Sequence, residues 1–202
     1  MISGKKHKRR GVSTAAAMLF VLSAACMHVV AADFDASRVL QELAQRTSSK
    51  AAFVELKYIA ALRQPLVSSG ELFFTPPSRL EKHTLKPIAE TLILDGDKLI
   101  IQRGKRRPMT LSLSSRPEAA GFVESMRATL LGDRDALERY YELDASGSME
   151  DWQLRLVPKE DAMRKIIDTI RISGAAARIK TIEFQQADGD RSLMKITDEG
   201  AL

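Results

Sequence analysis

Past residue 32 of this 202-residue chain, polar chemistry could rest on a single histidine, one pair of nearby acids and one basic run. Nucleophilic catalysis by serine or cysteine needs a base within reach, and in that region His83 is the sole imidazole and no cysteine occurs. His83 lies in Leu80-Glu81-Lys82-His83-Thr84-Leu85, whose alternation places it on a strand surface rather than in a catalytic dyad. Asp133 and Asp135 are spaced as in a calcium loop, but helix capping explains them more simply. Lys105-Arg106-Arg107 either docks an anionic partner or forms a solvated hairpin tip, and no aromatic residue is interleaved there as single-strand nucleic-acid binding would need. The sequence contains no Gly-rich phosphate loop and no cluster with metal-ligand spacing. The expectation is a protein that is not an enzyme and that uses no cofactor, no metal and no nucleic acid.

The apolar residues carry a more positive signal. Phe73 and Phe74 are adjacent on an alternating segment, so their rings should face opposite sides of a strand. Phe122, Met126 and Leu130 recur every four residues and form one stripe of a helix, with long side chains that repack around variable apolar partners. Such a stripe belongs either to an ordinary filled core or to the wall of a cavity, and the pattern leaves both open.

These residues are positioned by a mixed set of elements. Asp33 can cap a first helix carrying Ala36, Val39, Leu40, Leu43 and Ala44 at spacings of three and four. Alternation then predicts strands over 52–62, with Val54, Leu56 and Tyr58 on the buried face, and over 66–75, closed by Pro76-Pro77. Further strands are expected over 79–86, 89–94, 98–103 and 109–113, with Asp95-Gly96 as a hairpin turn. A helix with Pro117 in its first turn and Gly132 as its stop follows, then a second short helix over 133–141. Trp152, Leu154 and Leu156 alternate up to Pro158. Met163, Ile166, Ile167 and Ile170 fit either a helix or a helical turn running into a strand, and 178–184 with 192–196 close the chain as a hairpin around Asp188-Gly189. The economical assembly is α+β: one strongly curved antiparallel sheet, an unclosed barrel, with helices covering its concave face.

The net charge of +5 does not belong to this domain. Lys5, Lys6, Lys8, Arg9 and Arg10 precede Gly11 and no acid appears before Asp33, so residues 33–202 keep 26 of the 31 cations against 26 acids. The cations, the uncharged stretch 11–32 and its exit at Val30-Ala31-Ala32 have the three parts of an export signal, expected to be cleaved near Ala32 and to deliver a domain over 33–202 to the periplasm. An uncleaved anchor is the alternative, and Leu22-Ser23-Ala24-Ala25-Cys26 loosely spells a lipid-acylation site at Cys26.

The segment Leu66-Val67-Ser68-Ser69-Gly70-Glu71-Leu72-Phe73-Phe74-Thr75-Pro76-Pro77-Ser78-Arg79-Leu80, then Pro87 and Leu94-Asp95-Gly96, resembles the LolA family of outer-membrane lipoprotein carriers. Leu130-Leu131-Gly132-Asp133, Trp152 to Pro158 and Gly189-Asp190 are similar to a divergent branch of it. The resemblance implies an unclosed barrel with helices as a lid over a hydrophobic cavity for acyl chains. It implies a monomeric carrier taking an acylated lipid or lipoprotein from an inner-membrane donor complex to an outer-membrane receptor. The expected ligand-binding lining is Val54, Leu56, Tyr58, Leu72, Phe73, Phe74, Leu94, Phe122, Met126, Leu130, Trp152 and Leu154. Where well-studied members place an arginine that helps latch the lid, this chain has Pro76. The alternative function is a periplasmic sensor or assembly factor that transports nothing and binds a protein partner on the same sheet.

Overall fold

Asp35, rather than Asp33, caps the first helix: its carboxylate accepts the Ser37 backbone N–H at 3.1 Å and opens α1 (Ala36–Ala44). The computed structural model describes residue 1 and residues 34–45, 47–115 and 117–201. Apart from Met1, the expected leader, with its exit at Ala32 and the acylation site at Cys26, lies outside the described residues.

Among the described residues, eleven strands form one antiparallel sheet. The first six run as a meander, β1 (Ser49–Tyr58), β2 (Leu66–Thr75), β3 (Arg79–Lys86), β4 (Glu90–Asp95), β5 (Lys98–Arg103) and β6 (Met109–Ser112). A 3-10 turn at Leu113–Ser115 leads into α2 (Pro117–Leu131) and α3 (Arg134–Tyr140). The chain returns through β7 (Tyr141–Ser148), β8 (Asp151–Pro158), α4 (Asp161–Arg164), β9 (Ile167–Ala175), β10 (Arg178–Gln186) and β11 (Arg191–Ala201). Strand order is β6-β5-β4-β3-β2-β1-β11-β10-β9-β8-β7, so β1 and β11 join two meanders while β6 and β7 remain as edges of an unclosed barrel. The Met163–Ile170 segment resolves into one helical turn followed by a strand.

The register fixes which side chains face the helices. Phe53 opposes Ile196 and Gly70, Leu72 opposes Ala51 and Lys82, and Leu80 opposes Leu94. Since alternate residues share a face, the inner face of β1 carries Ala51, Phe53, Glu55 and Lys57. This inverts the expected strand face: Val54 is 44% exposed whereas Phe53 is 2% exposed.

One half of the concave face is filled. Val39, Leu40 and Leu43 of α1 pack with Trp152, Leu154, Leu156, Ile170 and Ile172, all at most 1% exposed. Burying each such side chain contributes about 1.5–3 kcal/mol. Trp152 opposes Gly174, where a Cβ would lie 2.4 Å from the indole, so only glycine lets the ring lie against that strand. Gly132 ends α2 at φ +67°. The Asp133 N–H reaches the Ala128 carbonyl at 2.8 Å and the Gly132 N–H reaches Thr129 at 3.2 Å, which satisfies the last helical carbonyls. A Cβ at Gly132 would also lie 2.1 Å from the Leu40 carbonyl oxygen, so the same glycine lets α1 and α2 meet. Asp133 then caps α3 by accepting the Ala136 N–H at 2.9 Å.

Candidate functional site: an apolar cavity under helix α2

The other half of the concave face is not filled. A cavity of about 590 Å³ lies between α2 and the inner faces of β1–β5 and β9–β11, a volume typical of small-molecule sites. Val123, Met126, Thr129 and Leu130 of α2 form its roof. Leu72, Phe74, Leu80, Leu92, Leu94 and Leu99 line one wall, and Ile182, Phe184, Met194 and Ile196 line the other. Phe74 and Leu94 are buried, while Lys57 and Ile166 are bordering residues that stand exposed.

A polar cluster centred on Glu55 interrupts the apolar floor. Glu55 of β1 accepts a hydrogen bond and ion pair from Lys82 of β3, a bond from Ser192 of β11, and one from Ser68 of β2 at 3.5 Å. Lys82 Nζ also stands 5.0 Å from the centre of the Phe53 ring. Burial pushes the Glu55 carboxyl up, but the Lys82 ammonium and the two hydroxyls outweigh it and hold the group below the usual glutamate range. The pair is charge-neutral, so it ties the four consecutive strands β3, β2, β1 and β11 together without presenting net charge to an apolar ligand.

Of the expected lining residues, Leu72, Phe73, Phe74, Leu94, Met126 and Leu130 border the cavity. Phe73 does so while its ring packs 5.0 Å from that of His83 and beneath Lys50 on the outer side. The Phe122 side chain lies outside the described residues. Trp152 and Leu154 do not reach the cavity, because α1 covers them in the filled half. Val54, Leu56 and Tyr58 face outward. Leu56 is flanked by Leu193 and Val67, and Arg191 stacks 4.4 Å over Tyr58. The sequence reading missed Glu55 and Lys82 because it took charge as a marker of the solvent face. The β10 and β11 contributions were visible as the alternation Ile182-Phe184 and Met194-Ile196. His83 sits on the outer face, 2.8 Å from Glu81.

Helix α2 is tied to the sheet at its far side. Arg127 pairs with Glu124 at 2.8 Å and donates Nη2 to the Gly96 carbonyl at 2.8 Å, at the tip of the β4–β5 hairpin. The next residue of that hairpin, Asp97, accepts the Ser114 N–H at 2.7 Å and so anchors the turn that feeds α2. In this chain the tie comes from the covering helix itself, whereas Pro76 at the strand end has no side-chain donor.

Residues 28–199 match the family described as outer membrane lipoprotein carrier protein LolA-like. The chain belongs to this family. A LolA superfamily protein from Nitrosomonas europaea has a similar structure at 11% identity, covering 82% of this chain and 92% of that one, with a TM-score of 0.45. The MucB component of the Pseudomonas aeruginosa MucA/MucB complex is similar at 13% identity, covering 84% of this chain and 59% of the other, with a TM-score of 0.43. No curated protein matches the sequence. None of the described helices of this LolA-like chain is long and apolar enough to cross a membrane.

Proposed function

We propose that this LolA-like protein is a periplasmic carrier that holds the acyl chains of a lipoprotein or another lipid under α2 and moves them between inner and outer membrane. The observation that carries the reading is the open half of the concave face: a structural domain gains by filling such a space, and here about 590 Å³ stays lined by Leu, Ile, Phe and Met. Each acyl methylene transferred from water to that lining contributes about 0.8 kcal/mol. Two flexible thioethers, Met126 above and Met194 below, give the site adaptable walls suited to release as well as capture.

The reading is tested by titrating the purified protein with a fluorescent fatty-acyl probe. Saturable uptake with a blue-shifted emission, competed by unlabelled acyl lipid, is expected. A probe that remains in the aqueous phase contradicts it.

A further inference from the structure

Most of the large apolar side chains left exposed by the fold gather at one end of the sheet. The antiparallel order puts the β1–β2, β3–β4, β5–β6, β8–β9 and β10–β11 connections at a common end. Leu62, Leu66, Leu85, Ile88, Met109 and Ile166 all stand in or beside them, each between 45% and 73% exposed. Hydrogen bonds join these connections in two groups, β1–β2 with β10–β11 and β8–β9, and β3–β4 with β5–β6. The Ala60 N–H reaches Asp190 at 3.0 Å, the Ala187 N–H reaches the Ile166 carbonyl at 3.1 Å, and the Gly104 N–H reaches the Ala89 carbonyl at 2.9 Å.

Charge follows the same polarity. Counting the turns alone, Arg63, Lys105, Arg106 and Arg107 lie at this end in the β1–β2 and β5–β6 connections, all exposed and without an acid beside them in those turns. The acids of its turns, Glu160, Asp161, Asp188 and Asp190, lie in the β8–β9 and β10–β11 connections, beside Lys159, Arg164 and Lys165. The turns at the opposite end, 76–78, 96–97, 149–150 and 176–177, contain Asp97 and Glu150 and neither Lys nor Arg. The cavity reaches the cationic, apolar end, where the exposed Lys57 and Ile166 border it.

We infer that this rim docks on the surface of an anionic lipid bilayer, with Ile88 and Leu62 entering the interface and the Lys105-Arg106-Arg107 tip lying against the head groups. Contiguous exposed apolar groups among polar neighbours mark an interaction site. Interleaved cations select a negative surface, and apolar side chains at the acyl boundary supply the remaining affinity. Docking in this orientation brings the end of the cavity bordered by Lys57 and Ile166 against the membrane, where a chain can pass between bilayer and cavity without crossing water. That last step rests on the carrier reading; the docking itself does not.

The test is flotation of the full-length purified protein with protein-free vesicles of phosphatidylcholine, with and without phosphatidylglycerol. Binding to the phosphatidylglycerol vesicles that falls as salt rises is expected. The double variant Leu62→Asp and Ile88→Asp should lower it about tenfold or more, as should Lys105→Gln, Arg106→Gln and Arg107→Gln together. Uptake of the acyl probe in free solution should be unchanged in both, since these side chains do not border the cavity. No flotation with anionic vesicles, or flotation indifferent to both variants, overturns the docking. So does binding that appears only when the vesicles carry membrane proteins, which assigns the rim to a protein receptor. Intact probe uptake alongside any of these results leaves the carrier reading standing, and lost uptake with intact flotation removes that reading alone.

Discussion

Arg127 on the helix that roofs the cavity donates to the Gly96 carbonyl at 2.8 Å, so the position of α2 is coupled to the tip of the β4–β5 hairpin. The guanidinium is partly buried, and its Nε has no partner among the described residues, so the tie rests on the two terminal nitrogens. A hydrogen bond from a charged donor is worth about 1.5–3 kcal/mol. Arg127→Met keeps the packing volume and removes the bond, and is expected to speed release of a bound acyl probe about tenfold in stopped-flow dilution while the circular dichroism spectrum stays native. Unchanged release assigns Arg127 to surface structure.

The walls of the cavity make a paired prediction. Met126→Asp places an unpaired carboxylate in the roof and should weaken probe binding at least about tenfold. Val54→Asp adds the same group to the outer face and should leave affinity within about twofold. Equal losses from both would contradict the register that puts Phe53 inside.

The contrast between Val54 and Phe53 also shows what the sequence could disclose. Turn chemistry was plain: Asp95-Gly96, Gly132 and Asp188-Gly189 stand where the chain reverses or a helix stops, because few other residues reach their backbone angles. The strands of the first meander and the roof helix followed from apolar period, whereas the expectation that Leu72, Phe74, Leu94, Met126 and Leu130 face a cavity came with the family resemblance. The face of β1 was read backwards because Glu55 looks like a solvent residue until Lys82, two strands away, and Ser192, 137 positions along the chain, come to meet it. Local pattern holds no information about such partners. Strand β7 went unread for a milder reason: Tyr141, Leu143 and Ala145 alternate, but the interleaved Asp144 and Ser146 and the following Gly147 depress strand propensity, and the paired Leu156, Leu154 and Trp152 supply the packing instead. Whether Trp152 lines a cavity or fills a core depended on where α1 lands, a tertiary fact.

The filled half should carry most of the stability. Trp152 is 1% exposed, lies against Gly174 and donates Nε1 to the Ala176 carbonyl at 2.9 Å. Trp152→Ala should cost about 3–5 kcal/mol in urea unfolding. A loss below about 1 kcal/mol would mean that α1 does not seal this region.

Acid should weaken the tie between the strands of the cavity floor. The native Glu55 carboxyl titrates below its ordinary value of 4.5, so its contribution is complete above that value and is lost as pH falls through the native one. Glu55→Gln is expected to be less stable than the parent at neutral pH, with the gap in urea midpoints closing as the pH drops below 4.5. A gap independent of pH would show that the pair contributes through packing alone.

The most direct measurement is native mass spectrometry of the protein purified from the cell envelope, with lipid extraction of the same sample. A bound species carrying one or more acyl chains, released when α2 is loosened by Arg127→Met, is predicted. A uniformly ligand-free protein that also fails to take up an acyl probe would contradict the assignment of the cavity to lipid carriage.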